Sequence, residues 1–272
     1  MGKVFLCIAA ALLVSCLSPE EDPPPKGFAM TGTFRGDHGA ITRLRGFESE
    51  LIINADGTFR FFLIDSNTAT FTFKGKWKGA EREMVWTDIA RSYVYHGAFR
   101  VWDSLAAPDT SYLRNVTDSG FERLEATLDV KYVSTIQWIR YRRIPAENPL
   151  PEGAYIFRET YRNGVDTTLT DTALTRLEIA RNGSYIQKIF TNGILTSSDA
   201  DSQWTQAGTF LITSRNHYCS YESDASYCGD SPLDFEFVAR LSHPEENAFR
   251  LWIPQGTSFQ PFAYWADFRK AP

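Results

Sequence analysis

The chain says the same thing twice, and a duplication limits the fold before any single motif does. Gly32-Thr-Phe34, Leu51-Ile-Ile-Asn-Ala-Asp56-Gly57-Thr-Phe59, Lys76-Trp77 and Trp138-Ile-Arg-Tyr141-Arg142-Arg143 follow one another in the first half. Gly153-Ala-Tyr155, Leu177-Glu-Ile-Ala-Arg-Asn182-Gly183-Ser-Tyr185, Gln203-Trp204 and Trp265-Ala-Asp-Phe268-Arg269-Lys270 follow in the second. Trp77 to Trp138 and Trp204 to Trp265 both span 61 residues, so an offset of 127 carries over both tryptophans and the closing basic pair. From Asp-Gly to Asn-Gly the offset is 126. A unit of about 120 residues is an ordinary domain, so the expectation is two domains, 28–146 and 147–272. Pro145, Pro149 and Pro151 mark the linker between them.

Each unit reads as antiparallel β. Leu51 to Ile53 and Thr58 to Ile64 flank Asp56-Gly57, and Leu177 to Ala180 and Tyr185 to Phe190 flank Asn182-Gly183. Such dipeptides supply the positive φ that tight hairpins need. Phe71, Phe73 and Trp77 alternate with Thr72, Lys74 and Lys76, and Phe235, Phe237, Ala239 and Leu241 with Glu236, Val238 and Arg240. A period of two sends one face to a core and the other to water. Sustained helical periodicity is missing, and only Thr87 to Val94 has room for a short helix. The variable stretches Asp103 to Gly120 and Ser214 to Ser231 are expected as exposed loops near one end of each unit. Aromatic residues make up 14% of the chain, with 12 Tyr and 7 Trp, which suits packing on pleated surfaces.

The Gly-x-aromatic opening, the many short strands and the late Arg resemble the lipocalin-like barrels. In that family a Gly-x-Trp on the first strand packs near an Arg from the end of the barrel. The resemblance places Gly32 and Phe34, then Gly153 and Tyr155, in the opening, with Arg142 and Arg269 as the closing arginines. Phe or Tyr stands where Trp is expected, and no helix follows either unit. The expected class is all-β, two tandem antiparallel lipocalin-like barrels, with a β-sandwich as the structural alternative. The difference matters because a barrel encloses an interior by construction. Candidate barrel-lining ligand contacts are Phe59, Phe61, Phe71, Phe73 and Tyr185, with Trp77 beside them.

Residues 1–15 have a basic start at Lys3, an apolar run from Val4 to Val14 and small residues before Cys16, which is the pattern of a signal peptide. The run is too short to cross a bilayer as a helix. Leu13-Val14-Ser15-Cys16 resembles the lipobox of bacterial lipoproteins. That resemblance implies Cys16 as a lipidated N-terminus carrying diacylglycerol and a fatty acid such as palmitate, several chains being needed for a stable anchor. Leu17 follows, rather than the Asp of enterobacterial inner-membrane retention, so the expected address is the outer membrane. Residues 16–27 then form an extended tether of prolines and acids.

Net charge is −5 and the second half is the more acidic, so no face for a nucleic-acid polyanion is expected. Cys7 lies in the signal and Cys16 at the lipid site. Cys219 and Cys228 remain, and their spacing in an exported chain favours a disulfide. A zinc set would need further Cys or paired His nearby. His38, His96, His217 and His243 are isolated along the chain and read as surface or loop residues, with Asp37-His38-Gly39 as a turn. Asp199 and Asp201 alternate like a calcium loop but lack the Gly and distal Glu of an EF-hand. Glu48 with Glu50, and Glu245 with Glu246, read as solvated edges or turns. No serine-hydrolase elbow occurs. The expectation is therefore a non-catalytic protein with no metal or cofactor, anchored to the membrane by lipid. It would bind a small apolar or amphipathic ligand; the alternative is an interaction protein with solid β domains that engages an envelope partner.

Overall fold

A computed structural model describes residues 30–272 apart from 39–46, 81, 97–98, 105–107, 129–133, 147, 163–169, 215–216, 223–224, 231–235 and 254–262. The expected signal segment, Cys16, the expected tether and Phe235 lie outside the described residues. All regular structure among those described is β. The first unit contains β1 Gly32–Asp37, β2 Phe47–Ile53, β3 Thr58–Asp65, β4 Thr68–Ala80, β5 Glu83–His96, β6 Phe99–Ser104, β7 Asp109–Thr117, β8 Gly120–Leu128 and β9 Ser134–Ile144. The second contains β10 Gly153–Arg162, β11 Thr170–Ile179, β12 Ser184–Thr191, β13 Ile194–Ala207, β14 Phe210–Ser214, β15 His217–Glu222, β16 Ala225–Asp230, β17 Glu236–Glu245, β18 Ala248–Ile253 and β19 Tyr264–Lys270.

Both units are closed eight-stranded antiparallel barrels, consistent with lipocalin-like domains. Strands β1-β2-β3-β4-β5-β7-β8-β9 form the first, closed where β9 pairs β1 from Thr33↔Ile144 to Asp37↔Arg140. Strands β10-β11-β12-β13-β14-β17-β18-β19 form the second, closed at Tyr155↔Lys270 and Ile156↔Arg269. Each carries a hairpin arm in the same place. β6 pairs the far half of β5, while β15 pairs both β13 and β16. Closure decides against the sandwich, since no edge is left in either ring.

The repeated dipeptides make equivalent turns. Gly57 and Gly183 have φ of 82° and 84°. Trp77 Nε1 donates to Asn54 O at 3.1 Å and Trp204 Nε1 to Ala180 O at 2.9 Å, so each repeated tryptophan latches its own hairpin. The closing aromatics are equivalent as well: Phe121 stacks on Tyr141 at 5.2 Å, and Phe249 on Phe268 at 5.1 Å. Each such fully buried ring stabilises its barrel by roughly 1.5–3 kcal/mol.

Three expectations about the elements and the barrel closure need correction. Thr87 to Val94 is part of strand β5, not a helix: both its edges are hydrogen-bonded to neighbours, and eight residues are too few to hold a helix alone. Asp88, at φ 50°, makes a bulge opposite Gly75, where a Cβ would lie 2.7 Å from Thr87 O. The stretches from Asp103 and Ser214 are not mainly loops, because they supply β7, β15 and β16. Finally, the cation over the opening aromatic is Arg143, not Arg142. Its guanidinium lies 4.8 Å from the Phe34 ring, donates to Thr31 O and Asp118 O, and fills the space beside Gly32. At the second opening Lys270, not Arg269, lies beside Gly153. Strand alternation gives the reason, since Arg143 follows inward Tyr141 by two residues whereas Arg142 faces outward.

The barrels also share a seam. Ile52, Phe62, Ile64 and Ala69 of the first pack with Ala207, Phe210, Ile212 and Val238 of the second, and Phe62 stacks on Phe210 at 4.3 Å. β6 pairs β17 at Glu236↔Arg100 and Phe237↔Phe99. Glu50, expected at a solvated edge, is completely buried here and accepts from Thr209 N at 2.7 Å and Thr209 Oγ1 at 2.8 Å. Burial raises its pKa, against the pull of Thr209 and of Arg35. Glu236 is held by Arg60 through two bonds of 2.9 and 3.1 Å and by Lys74 at 3.2 Å. Burial pushes this carboxyl up, but the two cations outweigh it and leave it below its ordinary range.

Candidate functional site: a charged cavity in the first barrel

Inward residues of β2, β3, β4 and β5 build an apolar wall, because a period-two strand that places Phe59 inside must also place Phe61 there. The first barrel holds a cavity of about 260 Å³ lined by Leu51, Phe59, Phe61, Phe73, Trp86, Ile89, Asp109 and Arg123. Phe59 meets Trp86 edge-on at 4.5 Å, and Phe61 lies 6.0 Å from Phe73.

The opposite wall, from β7 and β8, is polar. Arg123 Nε donates to Ser111 Oγ at 3.0 Å, and Trp86 Nε1 donates to the same oxygen at 2.8 Å. The guanidinium carbon stands 5.5 Å from the Phe61 ring and 5.2 Å from the Trp86 ring. Only 16% of the Arg123 side chain is exposed, and its nearest carboxylate, Glu125, is 3.8 Å away. A buried cation is costly unless paired, so ring faces, a hydroxyl and a carboxylate are all recruited to hold it.

From Glu125 a hydrogen-bonded chain runs across the barrel. Tyr141 OH donates to Glu125 Oε1 at 2.5 Å, Ser49 Oγ donates to Tyr141 OH at 3.0 Å, and His38 Nε2 lies 2.8 Å from Ser49 Oγ. With Ser49 donating onward, His38 supplies the Nε2 proton, which fixes the tautomer from the network. His38 lies just past the end of β1 but is buried, contrary to the surface expectation, and among the described residues its Nδ1 has no partner. Burial lowers its pKa; Glu125 pulls it up and Arg123 down. Tyr141 is pushed well above the ordinary phenol range by burial and then by Glu125. Gly36 makes room for the chain, because a Cβ there would lie 2.4 Å from Ser49 Oγ and 2.8 Å from the Tyr141 ring.

Of the candidate ligand contacts, Phe59, Phe61 and Phe73 are brought together in the cavity wall. Phe71 is 47% exposed and is not part of that lining. Trp77 is a half-buried rim residue latched to its turn. Tyr185 sits in the second barrel at the position of Phe59, buried in the core, with its OH donating to Gln187 Oε1 at 3.1 Å. Asp199 lies buried on strand β13 rather than in a metal loop. Cys219 and Cys228 form a disulfide, with Cα atoms 4.2 Å apart as direct cross-strand partners. His217 lies close to both sulfurs, but sulfurs joined to each other are not thiolate ligands.

Sequence reasoning missed Trp86, Ser111, Arg123, Glu125 and His38. A usable signal existed in Phe121-Glu-Arg123-Leu-Glu125, where two charges share the inward parity of Phe121. Registers set by paired strands show what the twin has instead: Leu251 for Arg123, Ile253 for Glu125, Ala239 for Ser111, Phe268 for Tyr141 and Phe157 for Gly36. Its opposite wall has Gln187 and Asp199 where the first barrel has Phe61 and Phe73. Among known proteins, no family and no curated relative matches the chain.

Proposed function

We propose that the chain is a lipid-anchored bacterial envelope protein, held by Cys16 in the outer membrane, whose first barrel binds a small apolar or amphipathic ligand. The observation that carries the reading is the cavity of about 260 Å³ between the Phe59-Phe61-Phe73 wall and Arg123. Ligand sites are concave and mostly apolar with a few placed polar groups, and this interior has that composition at a volume just under the usual range of about 300–1,000 Å³. The role is read as non-catalytic: Ser49, which lies 2.8 Å from His38 Nε2, is wholly buried and already donates to Tyr141. An acidic, Pro-rich tether at residues 16–27 would stand the barrels off the lipid, and the disulfide suits an oxidising compartment.

A thermal-shift and tryptophan-quench screen of small aromatic and aliphatic compounds tests the reading. It uses a secreted Cys16→Ser form, which cannot take the lipid. Saturable quenching that is lost in Phe61→Asp supports it. No binding across the screen would hand the protein to the alternative, an interaction lipoprotein that engages an envelope partner. Incorporation of labelled palmitate into wild type but not Cys16→Ser tests the anchor separately.

A further inference from the structure

An apolar pocket needs no cation, and the second barrel shows that the frame folds without one. Its residue at the register of Arg123 is Leu251, and the hydroxyl that holds Arg123 is replaced by Ala239. Retaining a guanidinium among Phe61, Trp86 and Leu51 costs desolvation free energy that packing alone does not require. Nor does its carboxylate neighbour match it alone. Glu125 is 3.8 Å from Arg123, longer than a charge-assisted hydrogen bond, and accepts the much shorter bond from Tyr141. Ser111 is also shared, between Arg123 and Trp86. The guanidinium is thus positioned from behind by Ser111 and by the ring faces, and it lines the cavity in front.

We infer that the first barrel selects a small monocarboxylate with an aromatic or compact apolar body, its carboxylate accepting hydrogen bonds from Arg123 and its body lying against Phe59, Phe61, Phe73 and Trp86. At the packing density of organic solids, 260 Å³ holds roughly a dozen non-hydrogen atoms, the size of a phenylpropionate rather than a long-chain lipid. Asp109, exposed where it joins the lining, disfavours a second negative charge on the ligand. This inference rests on the binding reading and adds the ligand's charge and size to it.

Isothermal titration of the secreted Cys16→Ser form with three probes of one skeleton tests it: 3-phenylpropionate, 3-phenylpropanamide and 3-phenylpropylamine. The acid is expected to bind roughly ten-fold or more tightly than the amide, and the amine not at all. Arg123→Leu, which installs the residue of the twin, abolishes the preference for acid over amide, while Arg123→Lys keeps part of it. The discrimination among probes without any change at Arg123 stands even if a variant there fails to fold. Equal binding of acid and amide overturns the carboxylate inference and leaves the cavity reading intact. Binding of none of the three overturns this inference, and the broader screen then decides the cavity reading.

Discussion

The two barrels share a frame and reverse their interiors. In the first, the β3–β4 wall is aromatic and the β7–β8 wall carries Asp109, Ser111, Arg123 and Glu125; in the second, the wall equivalent to the former carries Gln187 and Asp199, and the other is Phe237, Ala239, Leu251 and Ile253. The turn glycines, the latching tryptophans, the paired closing rings and the hairpin arm stay in place. Closure and register belong to the backbone and its turns, so inward positions are free to diverge as long as volume is filled and each buried polar group finds a partner. Phe157 shows the trade. It packs 5.4 Å from Phe268 in the second barrel, in the place that Gly36 leaves open for Ser49 and Tyr141 in the first.

The largest expected effect comes from the aromatic core of the second barrel. Phe268→Ala removes a ring packed against both Phe249 and Phe157 and should cost about 3–5 kcal/mol in urea unfolding. A cost under about 1 kcal/mol would mean that the second barrel is not packed as described.

Next comes the arm. The Cys219–Cys228 bond staples β15 to β16, whereas the equivalent arm of β5 and β6 has Ser92 at the position of Cys219. Replacing both cysteines by Ser should cost about 2–3 kcal/mol on the loop-entropy argument. Protection of β15–β16 amides in hydrogen exchange should fall with it, leaving β5–β6 unaffected.

Smaller effects should follow inside the first barrel. Tyr141→Phe installs the twin's ring but strands Ser49 and Glu125, for a loss of about 1–3 kcal/mol. Gly36→Ala collides with the same groups and should cost about 1–3 kcal/mol. If both changes were silent, the hydrogen-bonded chain would have no structural weight.

The smallest effect is on pH dependence, and it too separates the barrels. His38 has a lowered pKa in the fold, so the unfolded chain binds the proton more readily. Stability from this group is complete above the ordinary histidine value of about 6.5 and falls as pH drops below it. Urea midpoints measured at pH 7.5 and 5.5 should fall for wild type and change less for His38→Asn. Glu236 acts lower on the scale: its pKa is depressed, so its contribution is present above the ordinary glutamate range and is lost as pH falls beneath it. A drop between pH 7.5 and 5.5 as large in His38→Asn as in wild type would contradict the His38 account, since buried Glu50, with its raised pKa, acts in the opposite direction in both proteins.

Much of this architecture is legible in the sequence, for physical reasons that also explain the misses. Asp56-Gly57 and Asn182-Gly183 announce hairpins because few residues tolerate positive φ, and Phe59, Phe61 and Phe73 announce an inward wall because strand parity is strict. Arg142 is the more attractive closing cation on paper because it stands four residues from Trp138, but Trp138 faces outward, where Arg114 covers its ring at 4.3 Å. Glu50 and His38 look exposed in the sequence because polar residues usually are. Their burial depends on contacts from the β13–β14 turn, β2 and β9, which local sequence does not encode. Arg123 is hidden for the same reason, since a charged residue on an amphipathic strand ordinarily points outside.

The most direct test of the account is amide chemical-shift mapping of the isotopically labelled Cys16→Ser form during titration with 3-phenylpropionate. The account predicts saturable shifts at residues around Phe59, Phe61, Phe73, Trp86 and Arg123, with the interior of the second barrel around Tyr185 and Leu251 unmoved. Shifts centred on the second barrel, or a spectrum that does not change, would contradict it.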